Sequence, residues 1–201
     1  MSLYPFNTNV ARRASTDLQG TFNTLLSPVR ASLGSPVVAD VDRLLTATAT
    51  SDSVVTTVTT FLAQPDVPRS ISATPGGTTG DVPAGDITVT GTDIADAVIT
   101  DVITFAVNAS TIQSTAKAFK TVTSIVFPVQ DGANATYTVG VSDKLGLPDK
   151  LPVNSVVAAY RTGVREGTAP TVTVSSTVLS LNTVDLNSAM DGTAVMVDYL
   201  I

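Results

Sequence analysis

Three aspartates, Asp93, Asp96 and Asp101, fall within nine residues in the run GTDIADAVITD. Carboxylates at such density suit one of two chemistries, an oxygen cage for calcium or a pair of acids sharing a proton. A calcium loop needs closely alternating oxygens and a glycine at its sharp turn, and this spacing lacks both. The three therefore read as turn formers and as protection for an edge strand. The 17 acidic residues offer many pairs for glycoside hydrolysis, but sugar-cleaving clefts also present aromatic platforms, and this chain has no Trp, four Tyr and six Phe. The glycines of PGGTTG (75–80) suggest a phosphate loop but lack the Lys-Ser/Thr that completes one. With no His and no Cys, the chain builds no Ser-His-Asp or Cys-His constellation, no thiolate nucleophile, no disulfide and no zinc site of ordinary ligands. We accordingly assign no catalytic, cofactor-binding or metal-ligating residue and expect no enzyme.

The remaining charge points to surfaces. Lys117 and Lys120 flank Phe119 in KAFK, a basic pair that reads as edge-strand protection. Arg161, Arg165 and Glu166 in YRTGVREGTAP are either an ion pair between subunits or a solvated turn. The net charge of −6 and pI near 4.4 argue against a nucleic-acid partner. Against this acidic background the start is locally basic, with Arg12, Arg13, Asp17 and Arg30 its only charges up to Leu33. Neither a membrane-spanning apolar run nor a signal-peptide pattern is present, so we expect a soluble chain with no membrane partner. Asn108-Ala109-Ser110 and Asn134-Ala135-Thr136 match glycosylation acceptors, which carry no meaning without secretion.

These groups must be positioned by strands. The hydrophobic fraction of 43% is mostly Val, Ala, Leu and Ile, with Thr and Ser filling much of the rest, and β-branched side chains fit a pleated surface. From Pro36 onward, RLLTATAT, VVTTVTTFL, RSISAT, ITVTGTD, DAVITDVITFAV, KAFKTVTSIVFPV, ATYTVGV, SVVAAYRTGVRE and APTVTVSSTVLSL read as strands. Between them PGGTTGDVPAGD (75–86) reads as an exposed connection and DKLGLPDKLP (143–152) as a tight excursion. A strand pair turning at Thr162-Gly163 and a hairpin at Asp191-Gly192 are expected. The fold class is all-β: a sandwich or barrel body over 36–201, either one unit or two β subdomains split near 66–86, with an extended N-terminal arm over 1–35. One short helix fits Asn9 to Leu26. Ordering thirty such residues costs on the order of 30 kcal/mol in backbone entropy, about what burying ~1,200 Å² of apolar surface returns, so the arm needs a partner to order against. Deleting residues 1–30 is expected to leave the body folded.

Several phrases carry a family resemblance: NVARRASTDLQGTFNTLLSPVRASLGSPVVADVDRLLTA, VPRSISATPGGTTGDVPAGDITVTGTD, KAFKTVTSIVFPVQDG, DKLGLPDKLP, VREGTAPTVTVSS and NTVDLNSAMDGTAVMVDYLI. Together they resemble tailed-bacteriophage virion proteins of the capsid-decoration, or cement, type. The resemblance implies no catalytic residues. It implies an oligomer, a homotrimer above all, that sits on the exterior of the assembled head, binds the major capsid protein and clamps its subunits against the pressure of packaged DNA. On that footing Phe6, Arg12, Arg13, Phe22, Leu25 and Arg30 are expected to touch the capsid. Lys144, Leu145, Leu147, Arg161, Arg165 and Glu166 are expected at the interface between subunits. A tail-tube or connector subunit, and a module recognising host-surface glycans through PGGTTG and DGANAT, are the competing expectations.

Overall fold

A computed structural model describes residues 27–201. The expected helix over Asn9–Leu26 lies outside the described residues. The body is all-β, its antiparallel sheets curled into a half-barrel.

The organising element is one long strand. Ala135–Gly146 alternates strictly over its first half, with Ala135, Tyr137, Val139 and Val141 inward, as a half-buried strand requires. One edge pairs along its length with Arg69–Gly77. The other pairs first with Asp40–Ala49 and then, at Lys144–Gly146, with the short strand Thr183–Asp185. In chain order the strands are β1 (Pro28–Ser32), β2 (Asp40–Ala49), β3 (Thr56–Val58), β4 (Arg69–Gly77), β5 (Gly85–Thr92), β6 (Val98–Phe105) and β7 (Gln113–Phe119). They continue with β8 (Thr121–Phe127), β9 (Ala135–Gly146), β10 (Val156–Arg161), β11 (Val164–Arg165), β12 (Thr171–Thr173), β13 (Thr183–Asp185) and β14 (Val195–Leu200). The sheet around β9 runs β12-β13-β9-β4-β7, with β2 also on β9; a second runs β3-β8-β5-β6 and a third β1-β14-β10-β11. At Gly140 the backbone of Asp40 passes so closely that an added Cβ would lie 1.8 Å from its carbonyl oxygen, which is why glycine stands there.

Two hydrophobic cores follow. The first lies between the β9 and β5 sheets and includes Leu44, Ile71, Ile87, Ile103, Phe119, Ile125 and Phe127, with Tyr137 packed 5.3 Å from the Phe127 ring centroid. The second joins Ala31, Leu33, Leu145, Leu147, Leu151, Val184, Met190, Val195, Val197 and Tyr199. Burial pushes the hydroxyls of Tyr137 and Tyr199 up, and each is satisfied, on Gln130 and on Asp149 respectively.

Several expectations are corrected here. The arm does not extend to residue 35, because β1 pairs with β14 from Pro28↔Leu200 to Ser32↔Met196 and buries Ala31. The two cores do not divide the chain near 66–86. The second is assembled from 29–33 together with 145 onward, joining both ends of the described chain. PGGTTG is only partly a loop: Pro75 to Gly77 extend β4 against β9, and Pro75 is tolerated because pairing with β7 has already ended at Ala73. Of VVTTVTTFL only Thr56–Val58 is strand, and of the run after Ala169 only Thr171–Thr173. The latter stops because buried Asn182 gathers the following loop, accepting from the N–H groups of Leu151 and Ser175 and donating to the carbonyls of Ser175, Val178 and Leu179. Asp191-Gly192 makes no hairpin: Leu186 and Met190 are drawn into the second core, and β14 pairs with β1 and β10 instead. The hairpin at Thr162-Gly163 is present, both residues at positive φ (49° and 78°), as a two-residue turn requires.

Between the cores lies a polar seam centred on Arg69, which is wholly buried. Its guanidinium donates to the carbonyls of Ser142 (2.6 Å) and Val37 (3.0 Å) and to Asp66 (3.1 Å), and it meets Asp143 at 3.5 Å. Burial alone would raise the Asp66 carboxyl, but the N–H of Val37 and the guanidinium of Arg69 outweigh it and hold the group below the usual range. Replacing Arg69 with Leu strands two carbonyls and two carboxylates, so urea unfolding should show a loss of about 3–5 kcal/mol at pH 7. A carboxyl depressed in the folded state stabilises fully above its unfolded pKa of about 3.9 and less as pH falls through its lower folded value. The gap between wild type and Arg69→Leu should therefore narrow below about pH 4.

Candidate interaction surfaces

Charge constellations that might have done chemistry turn out to fasten the fold. Asp93 accepts from the N–H groups of Ala95 and Ala97 and closes its own turn. Asp96, at φ 62°, pairs with Lys120 at 2.7 Å. Asp101 accepts from the N–H of Lys117, whose ammonium donates to the carbonyl of Thr100. These two contacts tie edge strand β6 to edge strand β7, side chain to backbone, where no ladder joins them. The expected turn and edge roles of the three aspartates and of Lys117 are thus visible atom by atom, whereas Lys120, expected at an edge strand, lies in the connection between β7 and β8. Among the described residues, no group of three or more acidic side chains is arranged to hold a metal ion.

The expected contact residues separate into three kinds. Phe6, Arg12, Arg13, Phe22 and Leu25 lie outside the described residues. Leu145 and Leu147 are corrected: both are buried in the second core of a single chain, because the stretch read as an excursion begins inside β9, and neither offers surface to a subunit. Lys144 is half-buried on β9, opposite Asp185 of β13. Burial, reinforced by the nearby charge of Asp143, raises the Asp185 carboxyl. Arg161 and Glu166 are bonded within the chain. Arg161 Nε meets Glu166 Oε1 at 2.9 Å, its Nη1 donates to the carbonyl of Ala189, and Glu166 Oε2 accepts from Ser188. The inter-subunit reading of this pair gives way to a clamp holding the β10–β11 hairpin against the 188–191 loop. Arg165 is exposed at the hairpin tip beside Val164, itself 70% exposed.

Arg30 belongs to the third kind. On β1 its outward side chain forms a two-pronged ion pair with Asp198 of β14, both bonds 2.7 Å, and lies 5.0 Å over the ring of Tyr160 on β10. Hydrogen bonding from Arg30 holds the Asp198 carboxyl below its usual range. Alternation along β14 turns Val195, Val197 and Tyr199 into the second core and leaves Met196, Asp198 and Leu200 half-exposed on the other side. With Pro28, Arg30 and Tyr160 they form a mixed apolar and charged face across three strands of the β14 sheet. Ser27 and Ile201 exchange backbone hydrogen bonds at the rim of that face, so residues 1–26 enter the body there. Arg69 and Asn182, which fasten the buried polar seam and the loop after β12, carry no sequence signal: one is a lone arginine at a strand start and the other one asparagine among many.

No family model, curated protein or solved structure matches this chain.

The two hairpin arginines should behave in opposite ways. Arg161→Leu leaves the largely buried Glu166 carboxylate without its cation and should cost about 1–3 kcal/mol by chemical denaturation. Arg165→Ala should stay within about 0.5 kcal/mol. Equal effects from both would overturn the clamp.

Proposed function

We propose that this protein is a decoration subunit of a phage head, binding the exterior of the assembled shell as a closed oligomer, a trimer by the implied family pattern. The observation that carries this reading is the exchange of hydrogen bonds between Ser27 and Ile201. It roots a basic segment of 26 residues at the rim of an outward sheet face that presents Arg30, Tyr160, Met196 and Leu200. A rigid sheet supplies a self-complementary surface for closed symmetry, and a segment rooted beside it can lie across a neighbouring shell subunit. Several arms per oligomer then act together, so modest contacts add through effective concentration. The phrases that resemble decoration proteins run through both arm and body and support the same reading. Tail-tube and glycan-binding roles draw no comparable support from the surfaces described.

Purified protein mixed with empty shells should co-sediment with them and raise their melting temperature. A chain lacking residues 1–26 should remain folded and bind about 100-fold more weakly or worse. Removing residues 1–35 instead takes away β1 and Leu33 and should unfold the second core. Failure of the intact chain to bind shells, or its assembly into open tubes, would overturn the proposal.

A further inference from the structure

Two shallow grooves meet at the turn Asp191-Gly192. Val37, Val38 and Asp40, from the connection between β1 and β2, line one of them with Asp191 and Gly192. Val164 and Arg165, at the tip of the β10–β11 hairpin, line the other with Asp191 and Thr193. The turn is fastened to both walls: Gly192 donates its N–H to the carbonyl of Pro36, and Asp191 meets Arg161 at 3.6 Å. The walls differ in character. The first is apolar and acidic, with Val38 57% exposed, Val41 on β2 48% exposed, and Asp40 and Asp42 interleaved with them. The second is apolar and basic, with the exposed Val164 next to the exposed Arg165. Among the described residues Asp40, Asp42 and Arg165 have no ion-pair partner. The acids are also crowded, since Asp42 donates its N–H to Asp40 Oδ1 and its carboxyl is pushed above the ordinary range chiefly by a hydrogen bond shared with Asp40.

One face of the molecule thus carries two opposite halves side by side, each apolar and each with unpaired charge, and they do not meet within one chain. We infer that a second copy covers this face about a two-fold axis near Gly192. Val164 of each copy then lies on Val38 and Val41 of the other, and Arg165 of each faces Asp40 and Asp42 of the other. The placement selects this symmetry. A two-fold contact, in which one residue meets its complement and the complement meets it back, needs both halves on one face, whereas a head-to-tail ring needs them on different sides. Gly192 suits the axis, because open space stands where a side chain would project. The apolar strip, rimmed by charge, is the kind of patch that marks a protein contact, and the opposite charges give it register. So few valines and exposed ion pairs make a small interface, so the pairing is weak, concentration-dependent and further weakened by salt. The inference does not rest on the decoration reading: it pairs free copies, and where copies are gathered in a closed oligomer it joins one oligomer to the next.

The absence of cysteine makes the test direct. Full chains carrying Val164→Cys and Val38→Cys, one of them tagged to change its mass, are mixed at high micromolar concentration and mildly oxidised. The mixed disulfide dimer should form about fivefold faster, or more, than either dimer of like chains. Adding Arg165→Glu to the Val164→Cys chain should slow it about fivefold or more, as like charges replace opposite ones. Adding Asp40→Asn and Asp42→Arg to the Val38→Cys chain should then restore it, the Asn keeping an oxygen for the N–H of residue 42. Arg165→Glu placed instead in the Val38→Cys chain alters only the contact across the axis, yet it should slow the same disulfide, because the two contacts form together. No mixed dimer, like pairs forming as fast as mixed ones, indifference to Arg165→Glu in either chain, or failure of the restoring pair would each overturn the inference.

Discussion

The buried guanidinium of Arg69 is the constraint around which this fold is arranged. Taking it out of water costs several kcal/mol, and the structure offsets this only by bringing Val37, Asp66, Ser142 and Asp143 to one point. Those four residues come from the connection before β2, the loop before β4 and the turning point of β9. A change that moves any of them leaves charge or carbonyl unpaired. The seam continues through the paired hydroxyls of Ser70 and Ser142 and through Thr115, which accepts from the N–H of Ile71 and donates to the carbonyl of Lys117. Hydrophobic burial drives the two cores to form, but it is non-directional; the polar seam sets where one ends and the other begins.

Because β9 serves both cores, neither is an independent module. Its first half packs among Leu44, Ile71 and Phe127, while Leu145 near its end packs among Leu33, Val184 and Val197. The second core also needs β1, which crosses to β14 over a sequence separation of nearly the whole described chain. Most contacts in this molecule are accordingly long-range, and loop-closure entropy must be met before such pairings are rewarded. The structure compensates with locally closed details: the Asp93 turn, the Thr162-Gly163 hairpin and the Asn182 hub each satisfy their own backbone groups. The same economy appears at the open edge between β6 and β7, where Asp101 and Lys117 stand in for a missing ladder.

Function on this reading lies in surfaces. The charged side chains fall into those spent on the fold and those left facing outward. Arg161, Glu166 and Lys120 belong to the first group; Arg30, Arg165, Asp40 and Asp42 belong to the second. An ion pair such as Arg30–Asp198 adds little stability at the surface, but stacked on Tyr160 it holds a planar cation in a fixed place, which suits recognition. The arm root at Ser27 joins that face to the segment that carries Arg12 and Arg13.

The sequence by itself determined that this is a strand protein and where much of its punctuation falls. Val-Thr alternation has a period that only a pleated sheet satisfies, and Thr162-Gly163 or Asp93 act through backbone preferences that need no distant partner. The absence of His and Cys likewise limits the available chemistry before any folding. Only the tertiary structure decided which strands pair, that residues 28–33 belong to the body, that Leu145 and Leu147 face a core, and that Asp191-Gly192 turns without forming a hairpin. It also decided that Arg161 meets Glu166 within the chain and that one arginine, Arg69, sits where no water reaches. The reason is that local patterns encode which face of a segment seeks burial, whereas the partner that buries it is chosen by packing and polar satisfaction summed across segments far apart in the chain.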